Sequence, residues 1–366
     1  MSPINVALLG AGIFAKEAHL PPLLSNPNVN LVAVYSRSLN SAKSVLAEIP
    51  SESSTKPESI QLYSEDSDNK LDALLARDDI KAVVIALPIL TQPEVIKKCI
   101  LAGKHVLSEK PVAPTVAEAV ELLEWYNKNS NGGDTIWSVA ENFRFQAPWP
   151  KALAEANRLG GIRGIEVRVL QGVEKGGKYF ETAWRKVPGY QGGFLLDGGV
   201  HFTAALRELL PKHHELTIAS FSQLLQDHLP PHDTIRTVFR SAPKGGAVSE
   251  EDRKITGTFN ISFGASSVRA TSYTLDCPNG IVVVNPNSLK VTENGKEEQA
   301  TKVEDDVRGV EAELAAFLEA IQKGVKGGDK KQSPELAIGD LEMIEAMLKS
   351  GEQGGVPQTL KYFTQL

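Results

Sequence analysis

The stretch INVALLGAGIFA, residues 4–15, constrains the fold of this chain more than any other. A short β-rich run ends in Gly10, Gly12 and Ala15, a G-x-G-x-x-A spacing, and a helical pattern follows. Such a turn joins a strand to a helix. It lets backbone N–H groups approach a pyrophosphate and sets a helix N-terminus against its charge. Ile13 and Phe14 belong to the same turn and are candidate cofactor contacts. Alone the spacing is weak, and the alternative is a tight βα turn with no ligand. The strand before it and the helix after it give it weight.

The first third of the chain repeats this alternation. Strand-like runs at 29–36, 80–88, 104–110 and 135–145 are separated by helical stretches, the first of which Pro21 and Pro22 should break. Strands that are apolar almost throughout predict a parallel sheet covered on both faces, and right-handed crossovers make it doubly wound. Residues 51–70, polar and Ser-rich apart from a short IQLYS, read mostly as a surface-loop insertion away from the motifs. After about residue 145 the pattern changes. IRGIEVRVLQGV, 162–173, alternates like a strand with one open face. Residues 215–298 are strand-rich with turn residues between the runs, which predicts a largely antiparallel sheet. Two helical segments, around 309–323 and 334–349, close the chain. The expected architecture is α/β: a Rossmann dinucleotide-binding domain over 1–145, and an α+β domain with a large, mostly antiparallel sheet over 146–366.

Composition excludes several functions. With 366 residues there is length for two cores. A net charge of −6 gives no electrostatic footprint for nucleic acid or an anionic membrane. Cys99 and Cys277 are too few for a disulfide framework and lack metal-ligand spacing, so no metal is expected, and reduced thiols fit a cytoplasmic protein. No signal peptide, lipidation motif or membrane-length apolar run is visible.

Several stretches carry candidate chemistry. The second strand ends in Ser36, Arg37 and Ser38, where NAD sites usually hold an Asp or Glu for the ribose 2′-OH. An Arg fork with two hydroxyls and no carboxylate suits a 2′-phosphate and favours NADP(H); the alternative is a solvated Arg at a strand end. HVLSEKPVAP, 105–114, places Glu109 and Lys110 at a strand end closed by Pro111. Lys110 is either surface charge before a turn or an ammonium facing a cofactor. In GGFLLDGGVH, 192–201, Asp197 and His201 are spaced i, i+4 and share one face if a helix starts here. A carboxylate beside an imidazole favours its protonated form and fixes its orientation; the alternative is a capping Asp near a buried His. Gly192, Gly193, Gly198 and Gly199 cost helix stability, which makes sense if something approaches the backbone closely. Glu141, Asn142 and Arg144 fall at a strand end, and Trp184 and Arg185 precede the glycine-rich stretch. Arg and Asn near a pocket mouth can bind phosphate or sugar hydroxyls, and structural roles are equally open.

In this order GAGIFAKEAHLPPL, AVVIALP…AGKHVLSEKP, AENFRF and GGFLLDGGVH resemble the Gfo/Idh/MocA family (glucose–fructose oxidoreductase, inositol dehydrogenase, rhizopine catabolism), and specifically a fungal-type cytosolic NADP(H)-dependent member. The resemblance covers essentially the whole chain. It implies a Rossmann domain, a C-terminal sheet whose open face makes dimers or higher oligomers, and an active site between the domains. It also implies hydride transfer between nicotinamide and a sugar, polyol or other small carbonyl or alcohol. By resemblance, Lys110 polarises the carbonyl or stabilises the alkoxide, and His201 is the general acid/base. Asp197 orients His201 or binds a neighbouring hydroxyl. Which of Lys110 and His201 moves the proton stays open. Leu87, Pro88 and Gln92 line the cofactor side, with Glu109, Asn142, Trp184 and Arg185 as further contacts. The chain departs from the family where an Asn and then a His usually follow the fourth-strand Pro: here LPILTQ brings Ile89 and Gln92. Trp184, with Phe14, Phe180 and Tyr190, is a candidate substrate wall. Two other functions share the fold: a non-catalytic dinucleotide-binding regulator, and a glycosidase that holds NAD tightly.

Overall fold

The computed structural model describes residues 2–244, 254–265, 269–285, 287–296, 298–303 and 308–363. The chain divides into two compact units. The first is residues 1–141 with 310–334, and the second is 142–309 with 335–366. A cut at 145 misses the returning segment. Helix Val310–Lys323 buries Leu314, Phe317 and Leu318 in the same apolar cluster as Val6, Leu8 and Val84, so it completes the first unit's core. Its periodicity marks a helix but carries no address for the partner it covers.

The first unit is built on six strands: β1 (Ile4–Leu9), β2 (Val29–Ser36), β3 (Gln61–Ser64), β4 (Ala82–Ile85), β5 (His105–Glu109) and β6 (Trp137–Ala140). They form one sheet in the order β3-β2-β1-β4-β5-β6, parallel at every pairing. Helices α1 (Leu20–Ser25), α2 (Leu39–Leu46), α3 (Leu71–Leu75), α4 (Gln92–Leu101) and α5 (Val116–Asn129) belong to the same unit. Strand order reverses beside β1, so a crevice opens at the carboxyl ends of β1 and β4, where doubly wound sheets take ligands.

Three local expectations change. Pro21 and Pro22 do not break the first helix. They stand at the start of α1, directly after a π-helical turn, Ala15–His19. The wider turn lies where proline rings would clash with carbonyls four residues back in a regular helix. The 51–70 insertion is not only loop, because its IQLYS becomes β3, the edge strand paired with β2. The run at 135–145 is a strand only to Ala140; a 3₁₀ turn, Asn142–Phe145, follows.

In the second unit, α6 (Pro148–Arg158) leads to β7 (Gly164–Leu170). Three helices come next: α7 (Ala183–Lys186), α8 (Phe194–Asp197) and α9 (Gly199–Leu209). Strands β8 (His214–Gln223), β9 (Thr234–Pro243), β10 (Ile255–Ser262), β11 (Ala270–Cys277), β12 (Gly280–Asn285), β13 (Ser288–Glu293), β14 (Gln299–Lys302) and β15 (Gln358–Thr359) then complete a nine-stranded sheet with β7. It is antiparallel except where β7 lies parallel to β10. The alternation read in β7 is real: Ile165, Val167 and Val169 are buried, while Glu166 and Arg168 are exposed. Among the described residues no helix is long and apolar enough to cross a membrane.

Candidate active site

In the first unit the residues singled out from the sequence gather along the carboxyl edge of the sheet. Gly10 follows β1 with φ +128°, and a Cβ there would lie 2.2 Å from the Ala86 carbonyl oxygen just past β4. Packing and backbone both demand glycine at that position. Gly12 is different: it is exposed, and a Cβ would meet nothing within 4 Å. The protein itself therefore does not require glycine at 12, whereas a group lying against the backbone does. Ile13, Phe14, Leu87 and Pro88 are each partly exposed around this turn.

Gln92 opens α4 and is 1% exposed, yet among the described residues neither its amide nitrogen nor its amide oxygen has a hydrogen-bond partner. Buried polar groups are nearly always paired, so an orphaned amide at a helix start on this edge fits a bound polar ligand. The glycine cradle and Gln92 together accommodate a dinucleotide, and Ser36, Arg37 and Ser38 lie at the end of the neighbouring β2. Arg37 is exposed and makes no hydrogen bond or ion pair among the described residues. Ser38 caps α2, its hydroxyl accepting from the Ser41 N–H at 3.2 Å.

The insertion alters this end of the site. The parallel pairing of β3 with β2 brings Glu65 and Asp66 beside it. Tyr35 donates its hydroxyl to Glu65 Oε1 at 2.9 Å, and the Leu39 N–H donates to Asp66 Oδ1 at 2.7 Å. Ser64 and the Leu39 N–H hold the Asp66 carboxyl below the usual range, so it is charged at neutral pH. The expectation of a strand end without carboxylates is therefore corrected.

At the end of β5, Glu109 is buried, and its Oε1 lies 2.7 Å from Nε2 of the buried His19 on the π-helical turn. Sequence reasoning passed over His19, which is 90 positions away from its partner. Phe14 packs edge-on against it at 5.4 Å. The pair ties the helix after the glycine turn to the strand that carries Lys110, which is partly exposed.

The second unit holds the other candidates. Asp197 closes α8, and His201 lies in the first turn of α9, with Gly198 between the two helices. They do not start one continuous helix. The Arg185 Nε donates to Asp197 Oδ2 at 2.6 Å, and the guanidinium stacks on Trp184, 4.0 Å from the ring centroid. Burial, with the Asp197 charge adding to it, pushes the Tyr190 hydroxyl far above its ordinary value. The nearby glycines answer to the protein's own packing. A Cβ on Gly193 would sit 2.5 Å from the Pro230 carbonyl oxygen, one on Gly198 2.7 Å from the Phe263 ring, and one on Gly199 2.9 Å from Ile344. Asn142 donates its amide to the Arg308 carbonyl at 2.5 Å. Arg144 is buried on Asp340, which removes it as a ligand contact.

His201 stacks nearly parallel on Phe143, with centroids 4.6 Å apart and planes at 16°. It borders a cavity of about 300 Å³ walled by Phe143, Trp149, Phe202 and Phe263. Among the described residues no cluster of His, Cys, Asp or Glu could hold a metal ion, and both cysteines are buried and free.

A parallel sheet with a ligand cradle at its switch point and an appended mixed sheet define a two-part, NAD(P)-binding oxidoreductase architecture. Residues 4–132 match the oxidoreductase family model with an NAD-binding Rossmann fold, and 151–360 match that family's C-terminal alpha/beta domain. The chain belongs to the Gfo/Idh/MocA oxidoreductase family. It is 38% identical to the dehydrogenase FPY6 of Fusarium mangiferae, over 98% of this chain and 99% of that one. It is 27% identical to an uncharacterised protein of Saccharomyces cerevisiae over 97% and 98%. An oxidoreductase of Thermotoga maritima superposes with a TM-score of 0.81 at 26% identity, covering 97% of this chain and 98% of that one.

Proposed function

We propose that this chain is an NADP(H)-dependent enzyme that interconverts a small carbonyl compound and its alcohol. The observation that carries the reading is the edge of the first sheet, where an open backbone at Gly12 and an orphaned amide at Gln92 both call for a bound polar group. When bound, the dinucleotide supplies or accepts the hydride. Lys110 places an ammonium at the oxygen where negative charge develops. His201 holds the proton that this oxygen gains or gives up. Asp197, fixed by Arg185, supplies the charge that orients His201 or takes a neighbouring substrate hydroxyl. The proposed setting is cytoplasmic, and the open face of the nine-stranded sheet is proposed to pair two or more copies.

The test is a titration of the purified protein with NADPH and, separately, NADH, followed by cofactor consumption over a panel of aldehydes, ketones and keto-sugars. Binding with turnover supports the enzyme. Binding without any turnover favours a regulator, and no binding of either cofactor rejects both.

Arg37 decides the preference for NADP(H). Arg37→Ala should weaken NADPH by about 10–100-fold, the range of a lost charge-assisted contact, and leave NADH nearly unchanged. Equal losses would remove the 2′-phosphate assignment. Asp66 acts in the opposite direction. Asp66→Asn keeps an oxygen for the Leu39 N–H but removes a negative charge near the phosphate. NADPH should bind roughly 2–5-fold tighter relative to NADH, and the gain should shrink with added salt. A salt-independent change would mean that the charge is not the cause.

A further inference from the structure

The cavity beside His201 limits what the substrate can be. All its described lining residues belong to the second unit. At about 300 Å³ it stands at the small end of ligand sites. Its aromatic wall is braced. Trp149 packs edge-on against Tyr273 with centroids 4.9 Å apart, and the Tyr273 hydroxyl donates to the Phe202 carbonyl at 3.0 Å. Phe143 is held between His201 and the edge-on ring of Phe202, 5.6 Å away.

The polar part of the lining is neutral. It comprises Gln146, Gln171 and Thr271, with Gln171 Nε2 donating to Thr271 Oγ1 at 3.1 Å. Among the described lining residues none is Lys, Arg, Asp or Glu; His201 is the single titratable group. A phosphate or carboxylate seated here would give up its water with no guanidinium or ammonium to replace it. A flat apolar ring would instead gain offset or edge-on contacts on several sides.

We infer that this cavity receives the ring of an uncharged aromatic aldehyde or ketone, with Gln146, Gln171 and Thr271 meeting its neutral oxygen substituents. A phosphate or carboxylate group is then excluded from the cavity itself. The inference deepens the oxidoreductase reading above and rests on His201 acting at the same substrate.

The full chain, free of cofactor, is titrated by calorimetry at pH 8 with four unreactive probes: benzamide, its charged counterpart benzoate, glucose, and glucose 6-phosphate. Benzamide should bind at least ~10-fold more tightly than each of the others, and Thr271→Phe, which fills the space, should abolish that binding. Equal or tighter binding of benzoate, glucose or the sugar phosphate overturns the assignment, and so does absence of benzamide binding. The comparison among probes on the unaltered chain stands even if the variant does not fold. Cofactor consumption with benzaldehyde and with keto-sugars is measured separately. Benzamide binding without turnover of any carbonyl sinks the oxidoreductase reading and leaves the cavity assignment standing. Turnover of charged sugars without benzamide binding does the reverse.

Discussion

Asp340→Ala should destabilise the second unit by about 3–5 kcal/mol, the usual consequence of removing one partner from a buried ion pair. Asp340 lies in helix Pro334–Glu352 and its side chain is 2% exposed. Arg144 Nη2 donates to both of its carboxylate oxygens, at 2.7 and 2.5 Å, and Arg207 Nη1 donates to Oδ1 at 2.8 Å. Burial pulls the Arg207 guanidinium below its ordinary value, and Asp340 is the charge that opposes this. Without the carboxylate two buried cations face each other. Arg207 would keep the Leu336 and Phe363 carbonyls, and Arg144 would keep a looser contact with Glu208 at 3.6 Å. Those neutral acceptors and one distant charge do not replace a shared carboxylate. Asp340→Asn should cost less, because an acceptor oxygen remains. The measurement is urea unfolding, read on the transition that reports the second unit. Because Asp340 lies in the second unit, the first unit's affinity for the dinucleotide serves as the control and should hold. A loss under 1 kcal/mol would mean that the desolvation of three charges already cancels their attraction.

The same cluster shows what could be read from the sequence and what could not. The glycine turn, the apolar strands of the first sheet and the alternation of β7 are local signals: each is written within about a dozen residues as spacing or periodicity, and each stands in the structure. Arg144 read equally well as a ligand contact or a structural group, because its partner lies 196 positions away and nothing near AENFRF names it. Glu65 and Asp66 escaped for a related reason. Their place beside Ser38 follows from the β2–β3 pairing, and a four-residue edge strand inside a polar, Ser-rich stretch has too short a period to announce itself. The four glycines of GGFLLDGGVH were visible but ambiguous. Close packing on Pro230, Phe263 and Ile344 explains glycine at three of them as well as an approaching ligand would. Gly12 and Gln92 carry more about a ligand, because there the protein leaves space and unpaired polar atoms that its own packing does not use.

Lys110→Ala should lower turnover by at least ~100-fold with cofactor affinity changed only a few-fold, the signature of a group acting mainly where charge develops. Its position supports the expectation. Lys110 follows the last residue of β5, and that residue, Glu109, is held by the buried His19. The strand end is therefore anchored to the helix that follows the glycine turn, and the lysine backbone has little freedom to wander from the carboxyl edge. A surface lysine placed before a turn for solubility would need no such anchor. Lys110→Arg separates charge from placement: it keeps a cation but spreads it over a bulky planar fork, so it should recover only part of the loss. Single-turnover rates at saturating cofactor isolate the chemical step. Near-normal rates in Lys110→Ala would return this residue to surface decoration and leave His201 as the proposed carrier of the proton. A rate restored by Arg but not by Met would show that positive charge at this strand end, more than the identity of the amine, is what the reaction uses.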